Sequence, residues 1–187
     1  MTKASNAQWL QTAVQCYLQV FPGEQSRLVS LIDQLARPHP PCDRQTLPGH
    51  VTASGVAIRA ERMLLIRHPV IGKWIPPGGH VDAAENPACA ALRETREETG
   101  HAARLHPWHA RNPCPFDIDT HAIPPHPGRQ EEAHLHHDFR YLLLVDAHST
   151  ASPEGMQVRW MPWLQIPEPG LHHLVGKLAG RADHLRR

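Results

Sequence analysis

The chain has 187 residues, with 19 Lys or Arg against 18 Asp or Glu, so its formal net charge is +1 when the histidines are neutral. Hydrophobic residues make up 41% and charged residues 20% of the chain; these proportions exclude a wholly disordered protein and allow one compact core. Without a net positive field, binding to a nucleic acid polymer or to an anionic membrane is disfavoured.

The distribution of histidines and cysteines excludes further classes of protein. The 16 histidines are scattered along the chain rather than concentrated in a tract, which disfavours a metal-storage protein. The four cysteines have no CxxC spacing, and the N-terminus has no apolar signal segment. Apolar runs fall far short of the roughly 20 residues that a membrane helix needs. We therefore expect reduced thiols, no membrane contact and a cytoplasmic location.

The first 48 residues predict a helical extension. Apolar spacing indicates helices over residues 6–20 and 24–36, separated by Pro22 and Gly23. Residues 37–48 contain four prolines and no periodicity, which is typical of a stiff connector.

A single α/β domain is expected over residues 49–187. The apolar period changes to two over residues 51–58, which predicts a strand, and a second strand is expected over residues 63–67. A glycine-rich turn over residues 74–80 then leads into a helix over residues 87–99.

The signals at both ends of that helix are strong. Asn86 suits the N-cap, Pro87 suits the first helical position, and Gly100 suits a left-handed C-terminal cap.

Later elements complete the domain. Strands are expected over residues 103–108, 116–122, 139–145 and 158–161, and the apolar spacing of residues 171–178 predicts a C-terminal helix. Leu142 and Leu144 are apolar on the face opposite Phe139, Tyr141, Leu143 and Val145, so the strand over residues 139–145 is predicted to be central.

Three carboxylates share one narrow face of the helix over residues 87–99. Glu94, Glu97 and Glu98 lie within 100° of one another about the helix axis, although like charges repel and the last turn disfavours anions. Arg93 can reach Glu97 at i,i+4, which leaves Glu94 and Glu98 as two carboxylates one turn apart. Such a pair suits Mg²⁺ or Mn²⁺; an ordinary solvated acidic face is the alternative.

The spacing of this region matches a known signature. It resembles that of the Nudix hydrolases, G-x5-E-x7-R-E-U-x-E-E-x-G-U, in which U is a bulky aliphatic residue. All seven fixed letters match, at Gly79, Glu85, Arg93, Glu94, Glu97, Glu98 and Gly100. The two U positions hold Thr95 and His101 instead, and His101 places an ionisable ring where an aliphatic side chain normally packs. With its flanking elements, the resemblance covers residues 50–165.

The resemblance implies both fold and chemistry. It implies an α/β/α sandwich around a mixed sheet, and hydrolysis of nucleoside diphosphates linked to another group, with divalent cations holding and polarising the attacked phosphorus. By resemblance, Glu94 and Glu98 are metal ligands, and Glu97 is either a ligand or the partner of Arg93.

Other roles implied by the resemblance lie in the neighbouring loops. A carbonyl of Gly78 or Gly79 is a further metal ligand, and Glu85 braces the loop. The general base comes either from the helix or from a downstream loop, where Glu131 and Glu132 are candidates; a solvated acidic pair is the alternative for these two.

Further candidate contacts come from single residues. Trp74 could contact a base and Arg67 a phosphate, although Trp74 could equally pack beneath the glycine turn. His134 and His136 share one face of a strand at period two and could bind Zn²⁺. No third ligand is identifiable from the sequence, so hydrogen-bonded or substrate-facing histidines are the favoured interpretation.

The expected substrate is a small nucleotide or related diphosphate, and the sequence does not identify it further. Residues 116–119 contain neither the Pro nor the Tyr that often marks ADP-ribose or dinucleoside polyphosphate hydrolases in this family. A nucleotide sensor with the same fold and an isoprenoid-diphosphate isomerase are alternative functions. The N-terminal helices could also mediate a homodimer.

Overall fold

A mixed β-sheet flanked by helices forms the framework of the protein. In the computed structural model, the described residues are 3–83, 85–126, 128, 131–146 and 155–185. The strands are β1 (Gly49–Arg59), β2 (Arg62–Arg67), β3 (Trp74–Ile75), β4 (Gly78–His80), β5 (Ala103–Leu105), β6 (Asp117–Ile123), β7 (His134–Val145) and β8 (Val158–Pro162). The helices are α1 (Lys3–Val20), α2 (Val29–Leu35), α3 (Pro87–Thr99), α4 (Trp108–Arg111), α5 (His172–Ala179) and α6 (Ala182–Leu185). This arrangement confirms the predicted fold class.

The long strands β1 and β7 lie side by side and run parallel, from the pair Gly49 and Leu135 to the pair Ala57 and Leu143. The other pairings are antiparallel: β1 also pairs with β2 and β4, β7 with β5 and β6, and β2 with β3 and β8. The prediction of a central strand over residues 139–145 is confirmed, because β7 has neighbours on both edges. Most of β1 and β7 is buried.

Helix α3 packs directly on β1. A Cβ added to Gly55 of β1 would overlap the Thr95 hydroxyl of α3 and would lie 2.6 Å from Leu143 Cδ1 of β7. Ala91 and Thr95 are fully buried in this contact. Small side chains on α3 and a glycine on β1 therefore allow the helix to lie close to the sheet.

The N-terminal helices share the hydrophobic core of the sheet. Leu10 and Tyr17 of α1 and Leu31 of α2 are buried in the same cluster as Phe116 and Ile118. The Tyr17 hydroxyl also accepts a hydrogen bond from the backbone N–H of Ile118 at 3.4 Å.

A buried charge network joins the two ends of the chain to β6. The ammonium of Lys177 on α5 lies 3.2 Å from Asp117 of β6 and 3.0 Å from Glu24. Arg140 of β7 binds the same Asp117 at 3.0 Å and Asp138 at 2.9 Å. Each buried charge thus has an opposite charge beside it, as stable burial of ions requires.

Two predicted elements differ from the structure. The helix expected over residues 24–36 is a 3₁₀ helix from Pro22 to Leu28 followed by α2, and the two meet at Leu28, whose φ of −103° and ψ of 5° lie outside the α-helical region. The strand expected over residues 103–108 ends at Leu105, and Trp108 begins α4 after Pro107, which has helical backbone angles.

Two smaller features concern the cysteines and membrane-spanning potential. All four cysteines are free thiols. Within the described ranges, none of the helices has the length and apolar character needed to cross a bilayer.

The close contact of α3 with β1 gives a test by glycine substitution. Gly55→Ala should lower the free energy of unfolding by about 2 kcal/mol, because the new methyl group overpacks the interface. Gly176 lies on the exposed side of α5 with open space around its Cβ position. Gly176→Ala should therefore raise the free energy of unfolding by about 0.5–1 kcal/mol, because alanine has the higher helix propensity. Urea denaturation measures both; equal effects of the two variants would contradict the close packing of α3.

Candidate active site

The helix α3 has the ends that the sequence predicts. The Asn86 side chain accepts a hydrogen bond from the backbone N–H of Cys89 at 3.0 Å, with Pro87 at the first position. Gly100 closes the helix with φ of 70°, and its N–H donates to the Arg96 carbonyl at 2.9 Å. These caps fix which residues of α3 face the glycine turn.

Arg93 gathers the carboxylates of the site. Its guanidinium donates to Glu85 at 2.9 and 3.2 Å, to Glu94 at 2.7 Å and to Glu97 at 3.1 Å. It also donates to the backbone carbonyl of His80 in β4 at 2.9 Å. The expectation that Arg93 would engage Glu97 and leave Glu94 aside is wrong, because the fork-shaped guanidinium spans three carboxylates at once.

The pKa of Arg93 is raised, chiefly by its hydrogen bonds to the Glu85 carboxylate. Arg93 therefore stays a cation and organises the carboxylates rather than exchanging a proton.

Glu98 ties the end of α3 to the glycine turn. Only 8% of the residue is exposed, and its Oε2 accepts a hydrogen bond from the Gly78 N–H at 2.9 Å. A carboxylate held by a backbone amide at this depth has a defined position, which a metal ligand also needs.

Two glycines bring the turn close to the strand and to the helix. A Cβ on Gly78 would lie 2.6 Å from the Ala53 carbonyl oxygen, and a Cβ on Gly79 would lie 2.5 Å from Glu94 Oε1. The first position is closed by the main chain of β1, and the second by a carboxylate of the site. A side chain at position 78 would therefore clash with main chain, and one at position 79 would displace the Glu94 carboxylate.

The donor set fits a hard divalent cation. Glu85, Glu94, Glu97 and Glu98 carry four negative charges against the single positive charge of Arg93, and carboxylate oxygens are the ligands that Mg²⁺ prefers. In the described part of the chain, there are two clusters of three side chains whose possible ligand atoms all lie within 4.8 Å of one another. The α3 glutamates belong to neither cluster. Mg²⁺ usually binds through one or two carboxylates and several waters, so a compact group of three is not required.

Trp74 and Arg67 lie opposite each other at the paired edge of β2 and β3. The Trp74 ring is half-buried beneath the Arg159 guanidinium, which lies 4.8 Å from the ring centroid. The exposed Arg67 lies 3.5 Å from the Gly72 carbonyl and from the Gln157 side chain. The contact between Arg159 and Trp74 was not predicted from the sequence.

The two downstream glutamates differ in their surroundings. Glu131 is half-buried, pairs through its backbone with His126 and lies 3.3 Å from the Arg44 guanidinium. Burial lowers the pKa of His80, the Arg44 guanidinium lowers it further, and the Glu131 carboxylate opposes both. Glu131 is thus within electrostatic reach of the residue that follows Gly79. Glu132 is exposed.

His101, which replaces an aliphatic residue of the signature, is accommodated as a neutral ring. It is 6% exposed, and its Nδ1 lies 3.3 Å from the Asp146 carbonyl. Burial lowers its pKa, so the ring packs without a charge.

Known proteins resemble this chain over the region that contains the candidate site. A family model described as NUDIX domain matches residues 48–178. The chain is 32% identical over 96 residues to the probable DHNTP pyrophosphohydrolase of Lactococcus lactis subsp. cremoris, covering 51% of this chain and 54% of that protein. It is 37% identical over 75 residues to phosphatase NudJ of Escherichia coli K12, covering 36% and 49%. The chain therefore spans about half the length of the curated relatives it matches.

Solved structures show the fold alone. A NUDIX-family hydrolase from Clostridium perfringens superposes with a TM-score of 0.51 at 18% identity, covering 73% of this chain and 97% of that one.

The contact between Gly79 and Glu94 predicts an effect confined to cation binding. In Gly79→Ala the new methyl group displaces the Glu94 carboxylate, a flexible side-chain end, so the free energy of unfolding should change by less than about 1 kcal/mol. The affinity for Mn²⁺ should fall by about tenfold, as measured by electron paramagnetic resonance of free Mn²⁺.

Gly78→Ala is the matched control, because its methyl group meets main chain rather than a side-chain end. It should lower the free energy of unfolding by about 2 kcal/mol. Unchanged Mn²⁺ affinity in a folded Gly79→Ala protein would contradict the assignment of Glu94 as a ligand of the cation.

Proposed function

Because the chain belongs to the NUDIX domain family, we propose that it is a Mg²⁺-dependent hydrolase of a diphosphate linkage in a nucleotide or related substrate. The observation that carries the proposal is the cluster of α3 carboxylates organised by Arg93 against the Gly78–Gly79 turn. The names of the curated relatives, a pyrophosphohydrolase and a phosphatase, support the same reaction class.

We assign the cation to the carboxylates that the turn and Arg93 hold in place. Glu94 and Glu98 are the proposed ligands, with Glu97 and the Gly79 carbonyl as further donors, and Mn²⁺ is expected to substitute for Mg²⁺. When bound, the cation neutralises charge on the diphosphate and polarises the attacked phosphorus.

The remaining roles belong to the protein's own groups. Arg93 is a positioning residue, because its five donors are directed to Glu85, Glu94, Glu97 and the His80 carbonyl. The glycine turn lets a phosphate approach the backbone without a Cβ in the way. Trp74 and Arg67 are the proposed contacts for a base and a phosphate.

Glu131 is the better placed of the two downstream candidates for general base. The proposal is supported by its half-buried position and by the effect of its carboxylate on the pKa of His80, whereas Glu132 is exposed. Arg44, from the connector before β1, holds the Glu131 carboxylate at 3.3 Å. The connector would thus help to position the base.

The central test is hydrolysis by the wild-type chain and by Glu98→Gln. A screen of nucleoside triphosphates, DHNTP, dinucleotides, nucleotide sugars and CDP-alcohols with Mg²⁺ or Mn²⁺ should give phosphate or nucleotide release by the wild type. Glu98→Gln should reduce the rate by about 100-fold or more, because a charged group that stabilises the transition state is lost.

Asp33→Asn, an exposed carboxylate on α2, is the matched control and should keep the wild-type rate. Ligand binding without hydrolysis across the panel would instead indicate a nucleotide sensor. Rearrangement of an isoprenoid diphosphate without release of phosphate would indicate an isomerase.

A second test concerns the general base. Glu131→Gln should lower kcat by about 100-fold with little change in Mg²⁺ affinity. Glu132→Gln should leave both unchanged. If Glu132→Gln causes the loss, the assignment is wrong; if neither does, the base lies on α3.

The homodimer through the N-terminal helices and the cytoplasmic location stay predictions. The burial of Leu10, Tyr17 and Leu31 against the chain's own core means that a dimer would use the outer faces of α1 and α2.

A further inference from the structure

A group of histidines lies where β1, β4 and β7 meet. His50 of β1 is opposite His136 of β7 across the parallel pair, and His134 lies two residues earlier on the same face of β7. His80 of β4 is opposite Thr52, two residues after His50. The register of three strands therefore places these imidazoles together, although they are far apart in the sequence.

Three of the rings form a group that could hold a metal ion. Ligand nitrogens of His50, His134 and His136 all lie within 4.8 Å of one another, and the Nε2 atoms of His134 and His136 are 3.2 Å apart. Two nitrogens bound tetrahedrally to Zn²⁺ at about 2.0–2.1 Å are separated by about 3.3–3.4 Å. The observed gap of 3.2 Å is that of a hydrogen bond between the two rings, and it is close to the separation of two ligands in a zinc tetrahedron, so a metal ion could replace the hydrogen bond without a large movement of either ring.

The tautomer of His134 is set by the backbone. Its Nδ1 lies 2.8 Å from the Glu132 carbonyl oxygen, which can only accept, so Nδ1 carries the proton. With the proton on Nδ1, the lone pair is on Nε2, which is hydrogen-bonded to His136 Nε2 at 3.2 Å. A histidine whose outer nitrogen donates to a carbonyl is the usual arrangement of a metal ligand.

The surroundings of the His50 ring indicate most directly that something binds here. The residue is 1% exposed, and neither of its ring nitrogens has a hydrogen-bond partner among the residues the structure describes. Burying an imidazole without partners is costly. A metal ion on the side of His134 and His136 would supply the partner.

A second group with metal-like spacing does not share these properties. Glu24, Asp117 and His173 also place ligand atoms within 4.8 Å of one another. The ammonium of Lys177 lies 3.0 Å from Glu24 and 3.2 Å from Asp117, so a protein cation already holds this group together.

We propose that His50, His134 and His136 form a binding site for a transition-metal ion of the Zn²⁺ type, separate from the carboxylates of α3. Imidazole nitrogen favours such ions over Mg²⁺, and three protein ligands leave a fourth tetrahedral position for water or an exogenous ligand.

His80 places the zinc site beside the glycine turn. Its ring lies against His50 with centroids 5.1 Å apart, and its carbonyl accepts the hydrogen bond from Arg93.

Zinc titration of the whole chain tests the proposal. Protein stripped with a chelator is titrated with Zn²⁺ against a chromophoric competitor, with Mg²⁺ in excess to occupy the carboxylates. One Zn²⁺ per chain is expected, and Co²⁺ used as a probe should give the strong visible absorption of a four-coordinate site. No stoichiometric Zn²⁺ binding by the wild type would overturn the proposal.

Single substitutions locate the site. His134→Gln and His136→Gln should each weaken Zn²⁺ binding by at least about tenfold and abolish the Co²⁺ spectrum, whereas His173→Gln should bind as the wild type does. Circular dichroism checks that each variant is folded; His134 is half-buried and should tolerate glutamine. Wild-type affinity in both ligand variants would contradict the assignment.

Glu98→Gln separates this site from the proposed active site. It should keep one Zn²⁺ per chain with unchanged affinity while losing diphosphate hydrolysis. A loss of Zn²⁺ binding in Glu98→Gln would mean that the metal binds at the carboxylates instead.

Discussion

The parallel pairing of β1 with β7 is the constraint on which the rest of the structure depends. It runs from Gly49 to Ala57 along one strand, and most of both strands is buried, so a slip of one residue would turn every side chain to the opposite face. In the observed register, Gly55 faces α3, Ser54 meets Asp138 at 2.8 Å, and His50 lies opposite His136. The helix contact and the histidine group are thus consequences of one pairing.

The short strand β4 serves both proposed sites. Successive residues of a strand point to opposite faces, so the Cβ position of Gly79 faces the Glu94 carboxylate while the His80 ring lies against His50. Oxygen ligands suited to Mg²⁺ lie on one side of this strand, and nitrogen ligands suited to Zn²⁺ lie on the other. The hydrogen bond from Arg93 to the His80 carbonyl joins the two sides.

Sequence reasoning succeeded where the signal is local. The caps of α3 at Asn86 and Gly100 depend on the preferences of single residues, and both are present. It was wrong about Arg93: helical spacing pairs this residue with Glu97, whereas its guanidinium also donates to the adjacent Glu94 and to the His80 carbonyl of β4. The third histidine could not be found, because nothing near His134 in the sequence points to residue 50.

The sequence by itself determined α3, its acidic face and the spacing that identifies the family, because helical periodicity and capping act within a few residues. Only the tertiary structure decided how Arg93 distributes its hydrogen bonds, how closely residues 78 and 79 approach β1 and Glu94, and that His50 completes a group of three. These depend on strand register and on close approach between elements. Such contacts form only when residues distant in sequence are packed against one another.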